Sequence, residues 1–403
     1  MANLFSLRGV PVFASFFLWA FGTGGMQLAR PLFAASFGVP LVLVTLVTSA
    51  NSVASLIAGP VTGFAVDRLG RKPLLILGVS LRGMSAFLEF FAGSYTDFLF
   101  LEFFGAIGIS MWVTGSSVLV ADMSSVENRG RVVAARNVAA RLGFISGPLV
   151  GAAIATILDL RWVFLFNAAT KIAIVVIVFW FVRETHPESA RQAAKGQAPA
   201  EPLSPAMFLS RPFLIIAFVA FVVTMMAQGI FNSLFPVYLQ GKEGFSTTDL
   251  GTFMTLASFM MLVVSMPNGY LVDMRGRKIT LVPGLLVLGV SAYLLGVAGD
   301  YGAVMLAIIL YGIGEGVCFG ASQAYAMDLA PEQRRGSFLG IWALVNNLGG
   351  AVAPVLIGAV AQQFGFYTAF TALAVLFAIV ASVMFAFGPD TRPRRAAPAA
   401  AAA

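Results

Sequence analysis

Hydrophobic residues occur along this chain in long blocks that short polar stretches separate. Twelve blocks reach the roughly 20 apolar residues that an α-helix needs to cross the hydrocarbon of a bilayer. The blocks cover residues 10–34, 41–66, 73–95, 97–122, 132–158, 161–183, 212–239, 246–272, 279–298, 301–328, 337–363 and 366–388. This pattern predicts an all-α membrane protein with 12 transmembrane helices.

The composition excludes a soluble multidomain protein. Of the 403 residues, 59% are hydrophobic and 11% are charged, whereas soluble domains carry roughly 25% charged residues. The net charge of +7 would suggest nucleic acid in a soluble protein, but the lysines and arginines collect in alternate loops. We therefore predict no nucleic-acid partner and a multi-pass protein of the cell (inner) membrane with both termini in the cytoplasm. The opposite loops are short and mostly acidic, with Asp97, Asp159, Glu243, Asp249 and Asp300.

A charged hairpin after the second block returns after the eighth. The first copy reads Gly63-Phe-Ala-Val-Asp67-Arg68-Leu-Gly70-Arg71-Lys72, and the second reads Gly269-Tyr-Leu-Val-Asp273-Met-Arg275-Gly276-Arg277-Lys278. Identical residues recur at one interval, because the differences 273 − 67, 328 − 122 and 335 − 129 all equal 206. The pairs are Asp67 with Asp273, Asp122 with Asp328, and Arg129 with Arg335. The chain therefore consists of two homologous halves, 1–183 and 212–388, with a cytoplasmic linker at 184–211 and a tail at 389–403 that we expect to be disordered.

Hairpins of the form G-x-x-x-D-x-x-G-R-K between membrane spans closely resemble the major facilitator superfamily of transporters, and the resemblance covers residues from about 10 to about 388. It implies two pseudo-symmetric six-helix bundles and hairpins that latch the halves together on the cytoplasmic side. Met274 replaces the first arginine in the second copy, and we expect that latch to be the weaker one. A plain positive-inside anchor would explain the basic residues but not the aspartates. The latch residues that the resemblance implies are Gly63, Asp67, Arg68, Gly70, Arg71, Asp122, Arg129, Gly269, Asp273, Gly276, Arg277, Asp328 and Arg335.

The fifth block carries Gly143, Gly147, Pro148 and Gly151, which resemble the G-x-x-x-G-P-x-x-G signature of proton-driven drug and metabolite antiporters. This resemblance favours export over uptake. Because small residues let helix backbones approach closely, the same glycines predict either static close packing or faces that move between two conformations.

Ionisable residues inside the spans need a partner or a water-filled cavity, since each costs about 2.5–3.5 kcal/mol at membrane depth on insertion scales. They are Arg30, Arg82, Glu89, Glu102, Arg141, Lys171 and Glu315. The only histidine, His186, lies in the linker, so a proton carrier in the membrane has to be a carboxylate. The candidates for proton coupling are Glu315, Glu102 and Glu89.

The partners of these charges stay open in the sequence. Glu102 replaces an arginine that the resembling family commonly has, and it either titrates or pairs with Arg30. Arg82 and Glu89 are separated by about 10.5 Å of helical rise, which we expect to be too far for a tight direct pair without bending, and we favour a structural role for them. Lys171 is expected to be satisfied by a neighbouring carbonyl or acid. Arg30 and Arg141 either recognise an anionic group or snorkel to the interface.

Polar side chains in the spans give candidates for a substrate cavity, which the resemblance places between the first, fourth, seventh and tenth spans. Hydrogen bonding between helices is the other interpretation for each of them. The candidates are Gln27, Arg30, Trp112, Arg141, Gln228, Asn232, Gln323, Tyr325, Asn346 and Asn347.

The function that we predict is secondary active transport of a small solute by alternating access, most simply as a proton-coupled efflux antiporter for a drug or metabolite. The alternative is proton-linked or facilitated uptake of a small organic anion. An enzyme is disfavoured because the spans hold no histidine and one cysteine, and a receptor would carry a sizeable soluble domain. We expect no cofactor and no metal, and a monomer whose partners are the solute, protons and the bilayer.

Overall fold

The computed structural model describes residues 9–124, 129–182, 208–241, 243–331 and 335–388. Most of the predicted linker and all of the predicted tail lie outside these ranges. Within the ranges, the side chains that the structure leaves undescribed are those of Val66, Asp67, Arg129, Met266, Asp273, Arg275, Arg335 and Ser337.

Helices make up the regular structure of the described residues, which confirms the all-α fold class. They are α1 (Gly9–Ser36), α2 (Leu41–Leu69), α3 (Arg71–Glu89), α4 (Tyr95–Asp122), α5 (Arg129–Ile157), α6 (Trp162–Phe181), α7 (Arg211–Gly241), α8 (Thr247–Arg275), α9 (Arg277–Val297), α10 (Tyr301–Leu329), α11 (Arg335–Phe364) and α12 (Phe366–Phe387). Eleven of these helices are long and apolar enough to cross a membrane. The exception, α3, has only 19 residues and includes Arg71, Lys72, Arg82 and Glu89.

The middle of α7 is a π-helix over Met225–Leu234, which the sequence analysis missed. One residue, Phe235, separates the segment from Pro236, and a proline has no N–H to donate to the carbonyl four residues earlier. The N–H of Phe235 instead bonds Ile230, five residues back. π-helical segments often occur at functional sites, and this one contains Gln228 and Asn232.

The repeated hairpins turn at a glycine. Gly70 between α2 and α3 has φ 92°, and Gly276 between α8 and α9 has φ 94°. Side chains with a Cβ rarely adopt this region, so the glycine of each G-R-K sequence is required by the backbone. The fourth helix of each half begins with an equivalent cap. In α4 the Ser94 side chain accepts from the Asp97 N–H, and 206 residues later, in α10, the Asp300 side chain accepts from the Ala303 N–H.

The 206-residue repeat continues inside the helices. Ser85 of α3 donates to the Leu101 carbonyl of α4, and Ser291 of α9 donates to the Ala307 carbonyl of α10, with 291 − 85 and 307 − 101 both equal to 206. A Cβ placed on Gly83 would lie 3.0 Å from the Cβ of Lys171, and one on Gly289 would lie 3.0 Å from the Cβ of Phe377. The packing of α3, α4 and α6 is thus repeated by α9, α10 and α12.

The chain forms two compact units whose borders fall inside helices. The first contains Met1–Glu201, Thr224–Ser258 and Asn347–Ala369, and the second contains Pro202–Val223, Phe259–Asn346 and Phe370–Ala403. The first unit therefore holds α1 to α6 together with the parts of α7, α8, α11 and α12 that lie next to the short connections at 243–246 and 365. Its core includes Phe16, Trp19 and Trp112.

Candidate functional site

A buried carboxylate connects four helices of the first unit. Glu102 of α4 accepts hydrogen bonds from Arg30 Nε of α1 at 2.7 Å and from Asn51 Nδ2 of α2 at 3.0 Å. Arg82 Nη2 of α3 lies 3.4 Å from the same carboxylate. The side chains of Glu102 and Arg82 are 0% and 2% exposed, whereas that of Arg30 is 14% exposed. Of the two alternatives for Glu102, the structure forms the pair with Arg30.

Arg82 also binds Glu89 directly, and the prediction that these residues are too far apart was wrong. Arg82 Nη1 lies 2.9 Å from Glu89 Oε1. Seven residues make nearly two helical turns, so both side chains lie on one face, and the long guanidinium and carboxylate arms cover the rise along the helix. Ser85 lies between them on that face, with its Oγ 2.9 Å from Glu89 Oε1. One guanidinium thus stands between two buried carboxylates.

Lys171 of α6 is satisfied by α1. Its Nζ lies 3.1 Å from the Trp19 carbonyl and 3.4 Å from Thr23 Oγ1, and it stands 4.2 Å from the centre of the Trp19 ring. This confirms the expectation that a neighbouring carbonyl serves the lysine. Trp19 stacks on Trp112 with ring centres 4.7 Å apart. The structure therefore places Trp112, a candidate for the substrate cavity, in the hydrophobic core with 4% exposure.

The second half of the chain fills the equivalent positions with apolar residues. In the 206-residue register, Arg82, Glu89, Glu102 and Lys171 correspond to Leu288, Leu295, Ile308 and Phe377, which are buried in their own unit. Buried ion pairs are often no more stabilising than well-packed apolar residues of similar volume. The fold of one bundle is therefore achieved without the charges that the other bundle buries.

The antiporter-type glycines join α5 to α1. A Cβ on Gly147 would lie 3.0 Å from the Gly24 Cα, and one on Gly151 would lie 2.6 Å from the Gly25 Cα. The Pro148 carbonyl lies 3.0 Å from the Cβ position of Gly251 in α8. The structure thus exhibits the close packing that the spacing predicts, at contacts where α5 meets both α1 and α8.

Each hairpin is tied to the end of a neighbouring helix. Arg71 Nε lies 3.0 Å from Asp122 Oδ2 at the end of α4, and Arg277 Nε lies 2.8 Å from Asp328 Oδ2 in the last turn of α10. Arg68 lies over the Phe64 ring at 4.2 Å. The predicted latch residues Asp67, Arg129, Asp273 and Arg335 have side chains outside the described part of the chain, so their roles remain predictions. Around Gly63 and Gly269 an added Cβ would meet nothing within 4 Å.

Glu315 lies on α10 in the second unit and is 5% exposed. The glycines on either side of it bring neighbouring helices close. A Cβ on Gly314 would lie 3.1 Å from the Leu288 backbone N of α9, and one on Gly316 would lie 3.0 Å from the Met261 carbonyl of α8. The carboxylate is therefore held where three helices meet.

The remaining polar candidates are divided between the two units. Gln27, Arg141, Gln228, Asn232 and Asn347 belong to the first unit, and Gln323, Tyr325 and Asn346 belong to the second. Asn232 donates to Gln228 at 3.3 Å inside the π-helix, and Asn346 donates to the Trp342 carbonyl at 2.9 Å. The sequence analysis missed Asn51, although its amide in a predicted span is the kind of signal by which the other candidates were chosen.

Comparison with known proteins places this geometry in context. The family model of the Major Facilitator Superfamily matches residues 12–265 and again 217–403. Multidrug resistance protein 1 of Bacillus subtilis (strain 168) is 25% identical over 332 residues, which cover 80% of this chain and 82% of that protein. The crystal structures of human MFSD10 (TETRAN), an organic anion transporter, and of a D-xylose–proton symporter superpose with TM-scores of 0.68 and 0.74. They are 21% and 17% identical, and they cover 93% and 94% of this chain and 98% of each solved chain.

Proposed function

Because this chain belongs to the Major Facilitator Superfamily of transporters, we propose that it exports a small solute across the membrane in exchange for protons. The observation that carries the proposal is a buried carboxylate within a span, Glu315 on α10. Carboxylates at membrane depth are rare and mark ion and proton pathways. Binding and release of a proton at such a group changes the charge that the protein has to bury, and so biases one conformation over another.

The direction of transport rests on two further observations. Gly147, Pro148 and Gly151 lie in close contact with α1 and α8, and in this arrangement the antiporter-type signature controls how closely these helices approach. The Bacillus subtilis relative is a multidrug resistance protein, a name that fits export of small molecules. Both support export.

Contacts near the short acidic loops support alternating access. The Val42 N–H of α2 lies 3.1 Å from Gln362 Oε1 of α11, and Thr156 of α5 lies 3.3 Å from Thr248 of α8, between their hydroxyl oxygens. These pairs join the first six helices to α8 and α11 within the first unit. In the proposed cycle they close the outer side of the transporter and separate when the solute leaves.

The proposal is tested by internal pH in proteoliposomes with an inward proton gradient, after candidate solutes have been loaded into the lumen. We expect proton entry that depends on a loaded solute in the wild type and is lost in Glu315→Gln. Asp159→Asn, at an exposed acid in the loop after α5, is the matched control and should keep the exchange. Solute movement without proton flux would reject proton coupling, and proton and solute moving in the same direction would reject export by exchange.

A further inference from the structure

We propose that Arg30 binds an anionic group of the transported solute, a carboxylate, and that Glu102 positions Arg30 for this task. The inference rests on the proposed transport of a small solute, but not on its proton coupling or its direction. It follows from the way the Arg30 guanidinium is held.

Only one edge of that guanidinium is occupied. Arg30 Nε donates to Glu102 at 2.7 Å, and among the described residues its two Nη groups have no hydrogen-bond partner in the protein. The side chain is 14% exposed, although its partner Glu102 is fully buried. The two Nη groups point their N–H bonds in parallel, a geometry that matches the two oxygens of a carboxylate.

The helix that carries Arg30 is enclosed by other helices. From Pro11 to Ala35 no residue of α1 is exposed, because α1 packs against α2, α5, α6 and α7. A snorkelling arginine extends its head along the surface toward the interface. Arg30 instead turns to a fully buried carboxylate on α4.

Glu102 is fixed independently of Arg30. Asn51 donates to its second oxygen at 3.0 Å, and Arg82 Nη2 lies 3.4 Å from its first. Arg82 is itself bound to Glu89. An anion that binds the Nη edge therefore leaves every existing contact of the cluster in place, and the guanidinium is pre-organised for it.

The cluster around Glu102 has no equivalent in the second half of the chain. It contains Arg30, Arg82, Glu89 and Glu102, which are joined by contacts of 2.7 to 3.4 Å. Lys171 of α6 lies in the same unit and contacts the Trp19 carbonyl and the Thr23 hydroxyl. Since the second bundle fills the same α3, α4 and α6 positions with apolar residues, a solute-binding role accounts for charges that the fold does not require.

The test measures binding by thermal unfolding of the detergent-purified protein with paired probes. The pairs are benzoate with benzamide and succinate with succinamide, which differ in charge but little in shape. We expect at least one carboxylate, and neither amide, to raise the unfolding temperature of the wild type. The apparent affinity should fall about tenfold or more in Arg30→Gln and by less in Arg30→Lys, because lysine keeps the charge but not the fork.

Two further variants keep the test decisive. Arg136→Gln removes an arginine from the same unit, where it stands over the Phe16 ring at 5.0 Å, and should bind like the wild type. Arg30→Gln/Glu102→Gln removes one charge of each sign, so it controls for a buried unpaired carboxylate, and it should also fail to bind.

The inference is overturned if no carboxylate probe stabilises the wild type, or if stabilisation persists in both variants that lack Arg30. The assay contains no membrane and no gradient. Carboxylate binding that requires Arg30, in a protein without solute-dependent proton flux, would therefore support this inference and reject the proposed exchange. Solute-dependent proton flux in a protein that binds no carboxylate would support the exchange and reject this inference.

Discussion

Arg71 Nε lies 3.0 Å from Asp122 Oδ2, and 206 residues later the same ion pair recurs between Arg277 and Asp328 at 2.8 Å. The arginine of each G-R-K hairpin is thus bound to the last turn of the fourth helix in its own half. The repeat aligned these four residues in the sequence, but their pairing follows from the packing of α3 on α4 and of α9 on α10.

Breaking this pair should loosen the hairpin. We expect Arg71→Gln and Asp122→Asn each to lower the free energy of unfolding by about 1–2 kcal/mol, between the values for exposed and buried ion pairs. The double variant should be no less stable than the less stable of the two single variants, because both substitutions remove the same interaction. Denaturant unfolding in detergent measures all three.

Arg68→Gln is the matched control for that series, since Arg68 is exposed in the same hairpin. It should change the free energy of unfolding by about 0.5 kcal/mol or less. Additive effects of Arg71→Gln and Asp122→Asn would show that the pair contributes little.

The α1–α5 contact should reject even one added methyl group. Gly147→Ala places a Cβ 3.0 Å from the Gly24 Cα and from the Gly25 N, and overpacking of this kind costs about 1–3 kcal/mol. Gly59→Ala in α2 meets nothing within 4 Å and should be neutral or stabilising by up to about 1 kcal/mol, because alanine favours helix. Unfolding midpoints compare the two, and equal midpoints would contradict the close packing.

The repeat predicts that the Arg82–Glu89 pair can be replaced. Arg82→Leu alone should destabilise by about 3–5 kcal/mol, since it leaves Glu89 buried without its cation. Arg82→Leu/Glu89→Leu recreates the Leu288 and Leu295 of the second half and should recover most of that loss. Thermal unfolding of the single and double variants measures the recovery, and a double variant as unstable as Arg82→Leu would refute it.

The contact between Thr156 and Thr248 gives a site for cross-linking. Their hydroxyl oxygens are 3.3 Å apart, so Thr156→Cys/Thr248→Cys in a Cys318→Ala background should form a disulfide under mild oxidation. If α5 and α8 must separate during transport, oxidation should abolish solute flux and a reductant should restore it. Thr156→Cys alone should be insensitive to oxidation, and full flux through the cross-linked protein would exclude movement at this contact.

The amino-acid sequence alone determined the family, the all-α class and the repeat. Each of these depends on periodic or local signals: apolar blocks of membrane length, glycines at hairpins, and motifs that recur at one interval. The glycines of the fifth block were also sufficient to predict close packing, because a residue without a side chain lets the backbones of any two helices approach closely.

Only the tertiary structure decided which charges meet. The sequence left Glu102 between titration and a pair with Arg30, missed Asn51, and judged Arg82 and Glu89 too far apart. Three helices besides α4 contribute to the contacts of Glu102, and no pattern along one helix contains the rotation of the others. The π-helical segment at Met225–Leu234 was also decided by tertiary packing. The sequence shows that Pro236 removes one backbone hydrogen bond, but the conformation that the backbone then adopts depends on the helices packed around α7.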